Sequence, residues 1–103
     1  MIKKVFALLA LVFSAPVAAQ ECPAAVVLYY SPYCGYSQRV LEAMEEMDVH
    51  MPKKDVNSDK EAKEELRVKG GRLQVPCLLI DGQPLYGDLE IIEWIKDHRE
   101  CLK

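Results

Sequence analysis

An apolar run that breaks at a proline and restarts as a helical pattern constrains this chain more than any other feature. Ala24 to Tyr30 (AAVVLYY) is short, continuous and rich in β-formers, as expected of a strand buried inside a sheet. After Ser31-Pro32-Tyr33 the apolar period changes. Val40, Leu41, Met44 and Met47 recur at helical spacing, so a helix is expected from near Cys34 to Met47. Strand, tight turn and helix open a β-α-β unit, and Cys34 falls at the junction.

The remaining elements follow in alternating order. His50 to Val56 is a weaker strand, and Pro52 with two lysines suggests an edge position. Ser58-Asp59-Lys60-Glu61 is a capping-box signature, opening a helix that carries Ala62 and Leu66 and stops at Gly70-Gly71. Cys77 to Ile80 and Leu85-Tyr86 flank Asp81-Gly82, a hairpin signal. A last helix is expected from Asp88, read as its N-cap, through Ile91, Ile92 and Ile95 to His98. The order is β-α-β-α-β-β-α. A right-handed crossover makes the first two strands parallel, the hairpin adds an antiparallel pair, and helices cover both faces of the sheet.

The amino terminus reads as an export signal. Lys3 and Lys4 precede the apolar run Val5 to Phe13, and Val17-Ala18-Ala19 supplies small residues for cleavage after Ala19. The run is well short of the roughly 20 residues a membrane-spanning helix needs, so no stable anchor is expected. Ala19-Gln20-Glu21 before Cys22 does not resemble a lipid-attachment site. Residues 1–19 are therefore expected to be a signal peptide and 20–103 one small domain, exported, and periplasmic if the source is a Gram-negative bacterium. Loss of Lys3 and Lys4 makes the net charge of −3 more negative still, which argues against nucleic acid or anionic lipid as a partner. Neither repeats nor low-complexity tracts stand out.

Cys34 sits just past the carboxyl end of the first strand, where α/β sheets present ligands. The free amides and positive dipole end of the following helix favour a thiolate there, and the thiolate is the nucleophile. Gly35 allows close approach of another sulfur to the backbone. Ser37 stands where a second thiol would complete a redox pair, so Cys34 has no disulfide partner within this stretch.

The segments VVLYYSPYCGYS, QVPCLLIDG and YGDLEIIEWI, in this order and spacing, resemble the glutaredoxins of the thioredoxin-fold superfamily over essentially all of 24–99. Cys34-Gly35-Tyr36-Ser37 is similar to the monothiol motif Cys-Gly-Phe-Ser. Val75-Pro76 resembles the cis-proline loop, and Gly87-Asp88 the glutathione-binding turn. The alternative register, Ser31-Pro32-Tyr33-Cys34 as a dithiol motif lacking its first cysteine, leaves no attacking thiol.

The resemblance implies an α/β, thioredoxin-like fold with a four-stranded mixed sheet and three helices. It implies a monomeric, glutathione-dependent thiol-disulfide oxidoreductase acting on thiol or disulfide proteins through Cys34. Glutathione is then expected against Tyr36, Arg72 or Lys69, Val75, Pro76, Gly87 and Asp88. Two alternatives come with it: a [2Fe-2S] module in which Cys34 of two chains and two glutathione thiols are the ligands, and a non-catalytic thioredoxin-like binding protein. The chain departs from the family in lacking a lysine shortly before Cys34 and in carrying Gln74 where a threonine is usual. GGRLQVPCLLI also looks partly like the amino-terminal domain of glutathione transferases.

The other cysteines leave choices open. Cys77 follows the proline and begins an apolar strand, which suits core packing or resolution of Cys34. Cys22 and Cys101 flank the first strand and the last helix at the pole away from Cys34, as a structural disulfide or as two free thiols. His50 and His98 lack ligand-like spacing and read as surface residues, and Met44 and Trp94 as packing.

Overall fold

The computed structural model describes residues 22–103, so the expected signal peptide lies outside the described residues. Strand β1 is Val26–Tyr30, helix α1 Gly35–Met47, strand β2 Lys53–Asp55 and helix α2 Lys60–Glu65. A wider π-helical turn, Leu66–Gly70, prolongs α2. Strands β3 (Cys77–Ile80) and β4 (Gln83–Tyr86) form the hairpin, and helix α3 (Asp88–Asp97) runs into a 3-10 turn, Arg99–Leu102.

The sheet order is β2-β1-β3-β4. β1 pairs parallel with β2, and β3 lies antiparallel to both β1 and β4. This is the expected thioredoxin-like arrangement. β2 is an edge strand as the lysines and Pro52 suggested, though shorter than 50–56, because Pro52 has no N–H to donate and only its carbonyl joins the ladder, accepting from Leu28 N at 2.9 Å. β4 starts earlier than expected, at Gln83. It accommodates Pro84 because it is the opposite edge, with β3 as its sole partner.

Alternation along the strands divides the core. Leu28 and Leu78 face α1 and α3 and pack with Val40, Met44, Ile91, Ile95 and Leu102. Tyr29, Cys77 and Leu79 point to the other face and pack with Leu66, under α2. α1 and α3 lie against each other on the first face, and the contact of Arg39 with Asp88 puts their amino-terminal ends on the same side of the molecule.

Two caps differ from expectation. Asp59, not Ser58, caps α2, its Oδ1 accepting from Glu61 N at 3.0 Å and Ala62 N at 3.1 Å. Ser58 lies one residue too early and its N–H instead donates to Asp55 Oδ1 at 3.4 Å. The N-cap of α3 is Gly87, with Asp88 its first helical residue. Asp88 turns away from the helix amides because its carboxylate meets Arg39 of α1.

Cys22 and Cys101 form a disulfide, with Cα atoms 5.5 Å apart. The adjoining Leu102 is buried, and its carbonyl accepts from His50 N at 2.7 Å, so both ends of the described segment are held at one pole of the sheet.

Candidate functional site

The turn that presents Cys34 is built by serines. Ser31 is nearly buried; its hydroxyl donates to Asn57 Oδ1 and accepts from Tyr33 N at 3.2 Å. Ser31 O accepts from Cys34 N at 3.1 Å, and Gln38 Nε2 donates to Pro32 O at 2.9 Å. Ser37 is fully buried, and its Oγ accepts from Ser31 N at 3.2 Å. Cys34 itself is the N-cap of α1, in extended conformation, with no side chain capping the helix.

The thiol therefore faces the free amides of the first helical turn. Burial is the largest single influence on it and opposes ionisation, but hydrogen bonds from Ser37 N–H, the Ser37 hydroxyl and Tyr36 N–H together outweigh burial. The Asp88 carboxylate also opposes ionisation, and the net result is a pKa below the ordinary thiol value. Ser37 thus accepts from Ser31 and donates to Cys34, a relay that a cysteine at that position would supply poorly.

Across from the thiol, Sγ donates to Val75 O at 3.8 Å, and the Val75-Pro76 peptide bond is cis. Pro76 is buried and Val75 half-buried. Gly87 enters α3 at a φ of 99°, and its hydrogen faces the Glu90 carboxylate, leaving no room for a Cβ. Asp88 follows, 9% exposed. Tyr36 is exposed, as are Tyr33, Leu73 and Leu89. Cys34, Val75, Pro76, Gly87 and Asp88 thus lie along one end of the sheet.

Other expected residues have partners of their own. The Arg72 guanidinium lies over the Tyr86 ring, 4.1 Å from its centroid, and Lys69 Nζ pairs with Glu65 Oε2 at 3.3 Å. Tyr86 OH lies 3.0 Å from both Gly70 O and Arg72 O, which ties this loop to β4. Cys77 is free and fully buried in the α2-side cluster. Burial pushes its thiol up, more than hydrogen bonding with Tyr86 and Leu85 and the charge of Arg72 lower it. This placement gives Cys77 a packing role.

Arg39 escaped the sequence reading. Its Nη1 is 3.1 Å from Asp88 Oδ2, and its guanidinium carbon is 5.3 Å from the Tyr36 ring centroid. The signal was present, since Arg39 lies one helical turn from Tyr36, but its partner depends on how α1 packs on α3. Among the described residues, no group of three or more His, Cys, Asp or Glu side chains could hold a metal ion. The free thiols among the described residues are the half-buried Cys34 and the fully buried Cys77.

A four-stranded mixed sheet, with an activated thiol at the start of its first helix and a cis-proline loop opposite, defines a thioredoxin-like thiol protein. The glutaredoxin family model matches residues 26–85, and the chain belongs to that family. Membership supports thiol-disulfide oxidoreductase function. Among solved structures, the thioredoxin-like protein BC3987 is 25% identical, with a TM-score of 0.59, over 70% of this chain and 96% of that one. A buckwheat glutaredoxin-glutathione complex is 21% identical, with a TM-score of 0.57, over 74% and 77%. Glutathione transferase Omega 3C from Trametes versicolor is 24% identical, with a TM-score of 0.64, over 80% of this chain but 37% of its own. No match was found among curated proteins.

Proposed function

We propose that the protein is an exported monothiol oxidoreductase that removes glutathione from, or transfers it to, protein thiols through Cys34. The observation that carries this reading is the fate of the four sulfurs. Cys22 and Cys101 are bonded to each other, Cys77 is buried, and Cys34 alone is free and accessible. The helix entrance carries a serine, fully buried, in place of a resolving thiol. A resolving thiol therefore comes from solution.

The Cys34 thiolate attacks the glutathionyl sulfur of a protein-glutathione disulfide, and the protein thiolate leaves and takes a proton. The mixed disulfide on Cys34 is then attacked by a second glutathione thiolate. Oxidised glutathione departs, and the Cys34 thiolate is regenerated. Amides at the start of α1 stabilise the sulfur as it regains charge. The Val75 backbone is suited to pair with the cysteinyl segment, and Gly87 and the α3 amides to receive the γ-glutamyl carboxylate. The similarly folded buckwheat protein was solved as a glutaredoxin-glutathione complex, which supports glutathione as the partner. The basic-apolar-small order of residues 1–19 and a disulfide between the ends support export to an oxidising compartment.

The test is glutathione-dependent reduction of a glutathionylated peptide by the full chain and by Cys34→Ser. The proposal expects turnover by the first and none by the second. Binding of the peptide without turnover by either would favour the non-catalytic alternative.

A further inference from the structure

Arg39 and Asp88 come from different helices and meet where both begin. The side chain of Asp88 is 12% exposed and that of Arg39 62% exposed, so the arginine reaches inward from solvent to a nearly buried carboxylate. Asp88 is the first residue of α3, and no side chain caps that helix. A carboxylate in a first helical turn has free backbone amides within reach. The Nη1–Oδ2 contact of 3.1 Å draws it the other way, across to α1. Two consequences follow: no side-chain cap fills the amides of α3, the nearby Glu90 carboxylate facing the Gly87 Cα instead, and the Asp88 carboxylate is held beside them to accept from a cation. A free anion-receiving helix start next to a fixed carboxylate matches an α-amino acid zwitterion, the chemistry of a γ-glutamyl end group. The Tyr36 ring lies under the same guanidinium, 5.3 Å from its carbon.

We propose that Arg39 is a positioning residue that holds Asp88 away from the α3 amides, so that the site selects substrates bearing a γ-glutamyl amino-acid group. The inference rests on the glutathione reading above and extends it to a residue on α1 that reaches the substrate only through Asp88. Arg39 is largely exposed, so its replacement leaves the core intact.

The experiment is single-turnover transfer from two disulfide-modified forms of one peptide, glutathionylated and cysteinylglycylated, the second lacking only the γ-glutamyl group. Release of peptide thiol is followed with Cys34 reduced, at peptide concentrations below half-saturation. Wild type is expected to favour the glutathionyl peptide. Arg39→Gln should lower that preference roughly tenfold, through half-saturation more than through the limiting rate, and Arg39→Lys should restore part of it. In an Asp88→Asn background, Arg39→Gln should change the preference no further. An undiminished preference in Arg39→Gln overturns the inference while the glutathione reading stands. So does an equal loss with and without Asp88, which would make Arg39 act on its own. A wild type with no preference overturns the glutathione reading at its own control, and this inference with it.

Discussion

Ser37 looks like the missing half of a redox pair, yet its hydroxyl has two partners, accepting from Ser31 N–H and donating to Cys34. Its removal should therefore be felt at both. Ser37→Ala is expected to move the pH profile of Cys34 alkylation to higher pH, because one of the hydrogen bonds that outweigh thiol burial is lost. It should also cost roughly 1–3 kcal/mol in urea denaturation, since the buried Ser31 N–H loses its acceptor. An alkylation profile that stays in place would show that the backbone amides alone lower the pKa. At this scale the site was partly legible. Cys34, Val75, Pro76, Gly87 and Asp88 stood out because helix entrances, cis-proline loops and glycine turns leave local marks. Arg39 did not, because an arginine on a helix has no mark of its partner. Arg72 and Lys69 stood out as cations near the loop, but their contacts with the Tyr86 ring and the Glu65 carboxylate have no local mark in the sequence.

The elements are tied together by a polar knot on the α2 face of the sheet. Glu65 accepts from Lys54 Nζ of β2 at 2.7 Å and from the hydroxyl of buried Tyr29 of β1. Hydrogen bonds, that from Lys54 first and that from Tyr29 second, pull its carboxyl down to about 2 from an ordinary 4.5. With the folded pKa below the unfolded one, the knot stabilises the protein above about pH 4.5 and is lost as pH falls toward 2. Glu65→Gln should therefore flatten the fall in stability across that window, as measured by denaturation at stepped pH. A fall as steep as in wild type would place the acid sensitivity elsewhere. At the other end of the sheet, Gly87→Ala forces a side chain into a positive-φ turn and against Glu90. A cost of about 1–3 kcal/mol is expected, with weaker half-saturation for a glutathionylated peptide. Helices and strands were readable because apolar period separates them. Their ends were less so: Ser58 and Asp59 both suit a cap, and only the helix register decides between them. Asp88 looked like a cap because its draw toward α1 is a contact between helices.

At the scale of the whole molecule, the fold was the most legible part, since the strand and helix order leaves few topologies once the crossover is right-handed. The Cys22–Cys101 bond was one of two open states, because a shared pole brings two thiols near each other without showing that they are bonded. The bond spans a sequence separation of 79, which in the chain-entropy model stabilises by about 4 kcal/mol. Replacing both cysteines with serine should lower the denaturation midpoint by a corresponding amount, and an unchanged midpoint would mean that packing of Leu102 alone holds the termini. The central claim concerns the division of labour among the cysteine sulfurs: two bonded at one pole, one fully buried, and one half-buried but accessible at the other end. Its most direct measurement is the intact mass of the full chain after brief reaction with a glutathionylated peptide, then after addition of excess glutathione. The account predicts one glutathionyl group gained, mapped to Cys34 by peptide digestion, absent in Cys34→Ser, and removed by glutathione. A Cys34–Cys77 disulfide in place of the adduct, or an adduct that survives in Cys34→Ser, would contradict it.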